Sequence, residues 1–167
     1  MDDIYIDKVV VNIGIGQTEQ QFQNAKMLIK LLTGREATQS KARKRDPSIG
    51  VKKGQVIGAM VTLRKKAAYD MLAKALDASN NIINERKINN NTLSFGIKEY
   101  IDFAGVKYDP KIGMLGMNIH AHFARKGLRV ERRKRARSRC GEKHKTVEKQ
   151  EIIDYLAKNF KTQTISE

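Results

Sequence analysis

Two segments of the chain carry apolar side chains at every second position, which is the period of a β-strand with one buried face. In residues 55–64, the apolar face comprises Ile57, Ala59, Val61 and Leu63. The opposite face of that segment comprises Gly58, Met60, Thr62 and Arg64. Residues 4–13 repeat the pattern with Val9, Val11 and Ile13. The sequence therefore predicts a sheet with one core face and one face of polar and small residues.

Three other segments carry apolar side chains at the spacing of a helix that buries one face. The first begins at a capping box formed by Thr18 and Gln21 and ends at Thr33, because Gly34 favours helix termination. The other two helices are predicted over residues 66–78 and 146–160.

Shorter β-compatible runs complete the predicted secondary structure, at residues 36–40, 93–98 and 114–123. Strands and helices are interleaved, but without the regular alternation of a parallel α/β fold. We therefore expect an α+β fold in which helices pack on one face of an antiparallel or mixed sheet. A chain of 167 residues that is 40% hydrophobic can bury one core, so we expect a single domain over residues 1–167.

Positive charge is concentrated in two segments. The chain has 33 Lys and Arg against 18 Asp and Glu, a formal net charge of +15. Residues 125–145 hold eleven Lys or Arg and two Glu, and residues 35–66 hold ten Lys or Arg and two acids. Such an excess favours a nucleic-acid partner, because phosphates that are neutralised release counterions. The alternative for residues 125–145 is a solvated charge run, although a predicted strand and a predicted helix flank them.

The polar face of the predicted sheet is a second candidate for RNA contact. Its small residues allow an RNA backbone to approach closely, and Asn12 and Thr62 could reach 2′-hydroxyls or phosphates. A plain solvent-facing sheet explains the same residues equally well.

Catalytic and cofactor motifs are weak. Gly14 and Gly16 imitate a dinucleotide-binding turn, but Glu19 stands where the third glycine belongs. The three histidines and one cysteine lack clustered carboxylates, and no Ser, His and acid grouping stands out. We expect no cofactor, no metal and no enzymatic activity; the alternative is an RNA-modifying or nucleotide-using enzyme.

The sequence also predicts a cytoplasmic location. The first residues are acidic where a secretory signal would be basic, and no apolar run approaches the roughly 18 to 20 residues of a membrane span. We expect no membrane association.

Five blocks of the sequence resemble, in order, the signatures of the universal L5 family of large-subunit ribosomal proteins: KVVVNIGIGQ, LLTGREATQSKARK, GVKKGQVIGAMVTLR, LSFGIKEYIDF and KYDPKIGMLGMNI. The resemblance covers residues 4–124. It implies an α+β domain that binds 5S rRNA and large-subunit (23S-type) rRNA in the central protuberance, beside other ribosomal proteins. It also implies that a basic loop, residues 41–54, contacts P-site tRNA. Residues 125–145 are similar to archaeal and eukaryotic members.

The resemblance and the charge distribution together give the predicted contacts. The rRNA-binding residues are Asn12, Arg35, Thr38, Ser40, Thr62, Arg64, Arg132, Arg133, Arg135, Arg137 and Arg139. The tRNA-contacting residues of the loop are Lys41, Arg43, Lys44, Arg45, Ser48, Lys52 and Lys53. Arg35 stands where many bacterial members have Gln, and residues 45–47 depart from the bacterial loop pattern. A free-standing basic regulator of nucleic acids is the alternative, because phosphate attraction would serve it equally.

Overall fold

Strands and helices alternate irregularly along the chain in the computed structural model, which describes residues 3–16 and 19–165. The strands are β1 (Ile4–Gly14), β2 (Thr38–Lys41), β3 (Val56–Leu63), β4 (Ile82–Asn84), β5 (Ile88–Asn89), β6 (Thr92–Ile97), β7 (Met117–Arg125) and β8 (Gln163–Ile165). The helices are α1 (Glu19–Thr33), α2 (Lys66–Ala78), α3 (Arg129–Arg132), α4 (Glu142–Lys145) and α5 (Lys149–Phe160). Short 3₁₀ turns occur at Glu85–Lys87 and Tyr100–Asp102. The α+β prediction is confirmed.

Six of these strands form one antiparallel sheet in the order β2-β3-β1-β7-β6-β5. Strands β4 and β8 pair separately and in parallel. The predicted alternation of buried and exposed side chains in the two long strands is confirmed. The side chains that alternate into the core are Val9, Val11, Ile13, Ala59, Val61 and Leu63. Ile57 is an exception: it is 36% exposed, because it lies near the end of β3, and the apolar burial begins at Ala59.

The described chain divides into two compact units, whose boundaries cut across the strands. Unit 1 takes its residues from Met1–Val9, Leu63–Phe95 and His120–Glu167, and unit 2 from Val10–Thr62 and Gly96–Ile119. Helices α2 and α5 supply the buried residues Ala68, Met71, Leu72, Ala75, Leu76, Ile152 and Leu156 to unit 1. Helix α1 supplies Ala25, Leu28 and Ile29 to unit 2. The single domain over residues 1–167 stays a prediction.

Several predicted boundaries shift for local reasons. The capping residue Thr18 lies outside the described residues, whereas Gly34 adopts φ +68° directly after α1, as the predicted stop requires. Strand β7 begins at Met117 rather than at residue 114. Helix α5 begins at Lys149 rather than at residue 146, because Val147 is held by a backbone hydrogen bond from Asn91.

Asn91 ties the β5–β6 turn to the end of the basic segment, residues 125–145. Its Nδ2 donates to the carbonyl of Lys145 at 2.8 Å and to that of Phe123 at 3.4 Å. Its Oδ1 accepts from the backbone N–H of Val147 at 3.3 Å, and its own N–H donates to the Val147 carbonyl. Asn91 adopts φ +65°, a conformation that Asn tolerates better than most residues.

Replacing Asn91 by Ala should lower the free energy of unfolding by about 2 to 4 kcal/mol. This loss combines the missing hydrogen bonds, each worth about 0.5 to 1.5 kcal/mol, with the strain of a left-handed Ala. Urea unfolding monitored by circular dichroism measures the change, and Asn90→Ala, at an exposed neighbouring position, is the control. Equal stability of the two variants would show that this tie is dispensable.

Candidate nucleic-acid interface

The polar face of β1, β2 and β3 in unit 2 brings several predicted residues together. Ser40 of β2 lies opposite Gly58 of β3, and Thr38 lies opposite Met60. A Cβ atom added to Gly58 would lie 3.5 Å from the Ser40 Cβ and 3.6 Å from the Asn12 Oδ1. Asn12 and Ser40 therefore lie against Gly58, which is itself buried, on one sheet face.

The face has no room for a side chain at Gly58. Its added Cβ would also come within 2.9 Å of the Ile13 carbonyl oxygen, so no side chain fits here without a backbone shift. Thr38 and Thr62 are exposed on the same strands, and Asn12 and Ser40 are half-buried. The result is a shallow surface of hydroxyl and amide groups that a sugar–phosphate backbone could approach closely. Arg35 is exposed but precedes β2, so it does not belong to this strand face.

The basic loop between β2 and β3, residues 41–54, is a folded hairpin-like structure. Ala42 and Gln55 are hydrogen-bonded across its base at 2.8 Å. Asp46 and Val51 exchange two backbone hydrogen bonds of 3.0 Å farther along. The six predicted cations of the loop are all exposed: Lys41, Arg43, Lys44, Arg45, Lys52 and Lys53.

Ser48 has a structural role at the tip of this loop. Its Oγ donates to Asp46 Oδ1 at 2.6 Å, and its N–H donates to the same oxygen at 3.1 Å. Ser48 thereby closes the turn that displays its neighbours. Ile49, which the sequence reasoning did not single out, is 65% exposed beside it. An apolar side chain at a loop tip offers a contact surface to a partner.

The basic segment, residues 125–145, is ordered in unit 1 by ion pairs with acids elsewhere in that unit. Arg125 Nη2 donates to both carboxylate oxygens of Glu151, at 2.6 and 2.7 Å. Lys126 Nζ lies 2.8 Å from Asp3 Oδ2. Within the segment, Lys145 Nζ lies 2.8 Å from Glu131 Oε1. These contacts, with helices α3 and α4, argue against a solvated charge run.

The predicted arginines of this segment are exposed. The side chains of residues 132–139 are all exposed, including the five predicted contacts Arg132, Arg133, Arg135, Arg137 and Arg139. Arg133 Nε donates to the Ala136 carbonyl at 2.9 Å, which stabilises the turn after α3. The structure thus presents several exposed guanidinium groups, which are suited to bidentate phosphate contacts.

Arg64 and Arg132 meet at Asp7, a residue that the sequence reasoning missed. Arg64 Nη1 lies 3.2 Å from Asp7 Oδ1, and Arg132 Nη1 lies 3.2 Å from Asp7 Oδ2. Asp7 and Lys8 are both partly exposed, which interrupts the alternation of β1 between Ile6 and Val9. That irregularity in the pattern was the only sequence signal for this cluster.

His122 adjoins the same cluster, with its Nδ1 3.8 Å from Asp7 Oδ2. Burial lowers the pKa of His122 below its ordinary value of 6.5, and the nearby Lys8, Arg132 and Arg64 lower it further, while Asp7 opposes them. At neutral pH the imidazole is therefore uncharged, and the cations of the cluster are the two guanidiniums and Lys8.

Acid should loosen the attachment of the basic segment. The hydrogen bond from Arg125 lowers the pKa of Glu151 below its ordinary 4.5; burial opposes the shift, and the Glu148 N–H assists it. The carboxylate takes up a proton more readily in the unfolded chain, so its stabilisation is present above pH 4.5 and is lost as the pH falls through the folded-state pKa. Glu151→Gln should flatten the fall of the melting temperature as the pH drops from above 4.5 through the folded-state pKa of Glu151. Parallel melting curves of parent and variant would contradict this linkage.

The histidines outside this cluster contact protein groups. In the part of the chain that the structure describes, no group of three or more His, Cys, Asp or Glu side chains could hold a metal ion. His120 Nδ1 lies 2.9 Å from Ser94 Oγ, and His144 Nε2 lies 3.0 Å from the Lys126 carbonyl, so both pair with protein groups. None of the helices within residues 3–16 and 19–165 is long and apolar enough to cross a membrane.

Two family profiles match the chain: one described as ribosomal protein L5 over residues 1–52, and one described as the C-terminus of the same ribosomal protein family over residues 56–155. Curated relatives match nearly end to end. The large ribosomal subunit protein uL5 of Pyrobaculum aerophilum is 43% identical over 95% of this chain and 88% of its own length. That of Thermoplasma acidophilum is 40% identical over 99% and 98%, and that of Methanoregula boonei is 37% identical over 96% and 97%.

Proposed function

Because the chain belongs to the ribosomal protein L5 family, in its archaeal type and as a structural constituent of the large subunit, we propose that it binds 5S rRNA and 23S-type rRNA in the central protuberance. The observation that carries the proposal is the shallow polar strand face, where Asn12 and Ser40 flank Gly58. A duplex or loop backbone could lie against this face, with hydroxyl and amide groups within reach of its phosphates and 2′-hydroxyls.

The protein performs no chemistry in this proposal. Its ordered donors and exposed guanidiniums hold RNA in one arrangement, so the cost of ordering these groups is met when the protein folds. The exposed arginines of the basic segment supply the phosphate contacts that add affinity without sequence preference. This RNA binding takes place on the ribosome in the cytoplasm, beside other ribosomal proteins of the central protuberance.

The basic loop, residues 41–54, has a separate partner in this proposal, the P-site tRNA. Its six exposed cations and the exposed Ile49 stand on a hairpin whose backbone is held by its own hydrogen bonds. A preformed loop loses little conformational entropy on contact with tRNA.

Two substitutions on β3 and directly after it test the rRNA site. Thr62→Ala and Arg64→Ala should weaken 5S rRNA binding, the Arg variant by about 1 to 3 kcal/mol, because it removes a charged hydrogen bond. Filter binding at fixed salt measures the change. Lys74→Ala, at an exposed position on α2, is the matched control for the loss of one cation. If Arg64→Ala and Lys74→Ala bind equally well, the site is not at the end of this strand.

A further inference from the structure

Asp7 is an unexpected residue in a protein that holds RNA, because a carboxylate repels phosphates. Its side chain is only 12% exposed, yet two arginines that are 56% and 55% exposed converge on it. Arg64 lies 57 residues away in the sequence and Arg132 lies 125 residues away. The fold therefore brings three distant segments of unit 1 together around one carboxylate.

The contacts leave most of each guanidinium available. Arg64 uses Nη1 for Asp7 Oδ1 and, at 3.4 Å, for the Asp7 carbonyl, and Arg132 uses Nη1 for Asp7 Oδ2. Among residues 3–16 and 19–165, Nε and Nη2 of both arginines donate to no protein acceptor. Each guanidinium is thus fixed at one corner and can still donate several hydrogen bonds.

The charge of the cluster also favours an anion. Asp7 contributes one formal negative charge, whereas Arg64, Arg132 and the adjoining Lys8 contribute three formal positive charges. Two guanidiniums that contact the two oxygens of one carboxylate lie near each other, so one phosphate could accept from both.

We infer that Asp7 is a positioning residue, which holds Arg64 and Arg132 as a paired site for one phosphate group of the bound RNA. The inference rests on the proposed function and adds a residue whose charge has the wrong sign for direct contact. Asp7 acts through the two arginines: it removes their freedom to rotate before RNA arrives, so less entropy is lost on binding.

The direction in which one substitution changes RNA affinity distinguishes a positioning role for Asp7 from a purely electrostatic one. Asp7→Asn keeps the shape of the side chain and raises the net charge by one, so long-range attraction alone would tighten the complex with 5S rRNA. Positioning predicts the opposite, a loss of affinity of about five- to tenfold, because the two arginines lose their ionic partner. Asp70→Asn, at an exposed position on α2, makes the same charge change away from the cluster and should stay within about twofold of the parent.

The same substitution in an Arg64→Ala, Arg132→Ala background shows whether Asp7 works through these arginines. If it does, Asp7→Asn has no further effect there. Equal weakening of 5S rRNA binding in both backgrounds would mean that Asp7 merely supports the fold. Tighter binding of the single Asp7→Asn variant would also contradict a positioning role for Asp7. Both results leave the proposed function intact. If the double-alanine protein binds 5S rRNA like the parent, the paired site is wrong. A parent that does not select 5S rRNA overturns the proposed function as well.

Discussion

Neutralising the four exposed arginines after α3 should reduce the salt dependence of rRNA binding by a slope of about 3 in log K against log salt concentration. Each neutralised phosphate contributes about 0.7 to 0.9 to this slope. The variant carries Gln at Arg133, Arg135, Arg137 and Arg139, all of which are exposed. At near-physiological salt, the lost contacts should weaken 5S rRNA binding by about 100-fold.

A variant of equal net charge provides the control for this experiment. It carries Gln at four exposed lysines on helices α1, α2 and α5 and directly after α5: Lys30, Lys74, Lys158 and Lys161. These substitutions should change the slope by less than about 1, because phosphates beyond a Debye length are largely screened. Titrations across a range of salt concentrations compare the two proteins. Identical slopes would mean that the basic segment touches no phosphate.

Neutralising the basic loop should instead weaken tRNA binding. With Gln at all six exposed cations of residues 41–54, we expect affinity for P-site tRNA to fall by about tenfold or more, since each charged contact is worth about 1.5 to 3 kcal/mol when fully made. The hairpin should persist, because backbone hydrogen bonds and the Asp46–Ser48 contact close it. The measurement is tRNA binding to large subunits reconstituted with each variant.

Affinity for isolated 5S rRNA distinguishes this loop effect from a general loss of charge. The loop variant should bind 5S rRNA within about tenfold of the parent, whereas the basic-segment variant should lose about 100-fold. If the loop variant retains tRNA binding but loses 5S rRNA, the roles of the two segments have been assigned the wrong way round.

The local parts of this fold could be predicted from the sequence. The alternation of Val9, Val11 and Ile13 and the helical spacing before Gly34 depend on residues a few positions apart, and both periodicities were correct. Helix α5 was predicted three residues too early, because Val147 is held by Asn91 through a contact that spans 56 residues. Strands β4 and β8, of three residues each, are too short to show a period.

The candidate site was predictable in composition but only partly in geometry. The strand parity correctly placed Thr62 on a polar face, and the charge count found both basic segments. The pairing of Arg64 with Arg132 depends on Asp7, which lies 125 residues before Arg132 in the sequence. No local pattern encodes such a contact, and the break in the alternation of β1 at Asp7 and Lys8 was its only trace in the sequence.

Selectivity for 5S rRNA is the most direct test of the central claim. The purified protein is titrated with labelled 5S rRNA in filter binding, with unlabelled tRNA and duplex DNA as competitors, over a range of salt concentrations. The structure-based proposal predicts binding that survives near-physiological salt and that neither competitor displaces at equal concentration. Binding that salt abolishes, or that duplex DNA displaces as well as 5S rRNA does, would contradict it.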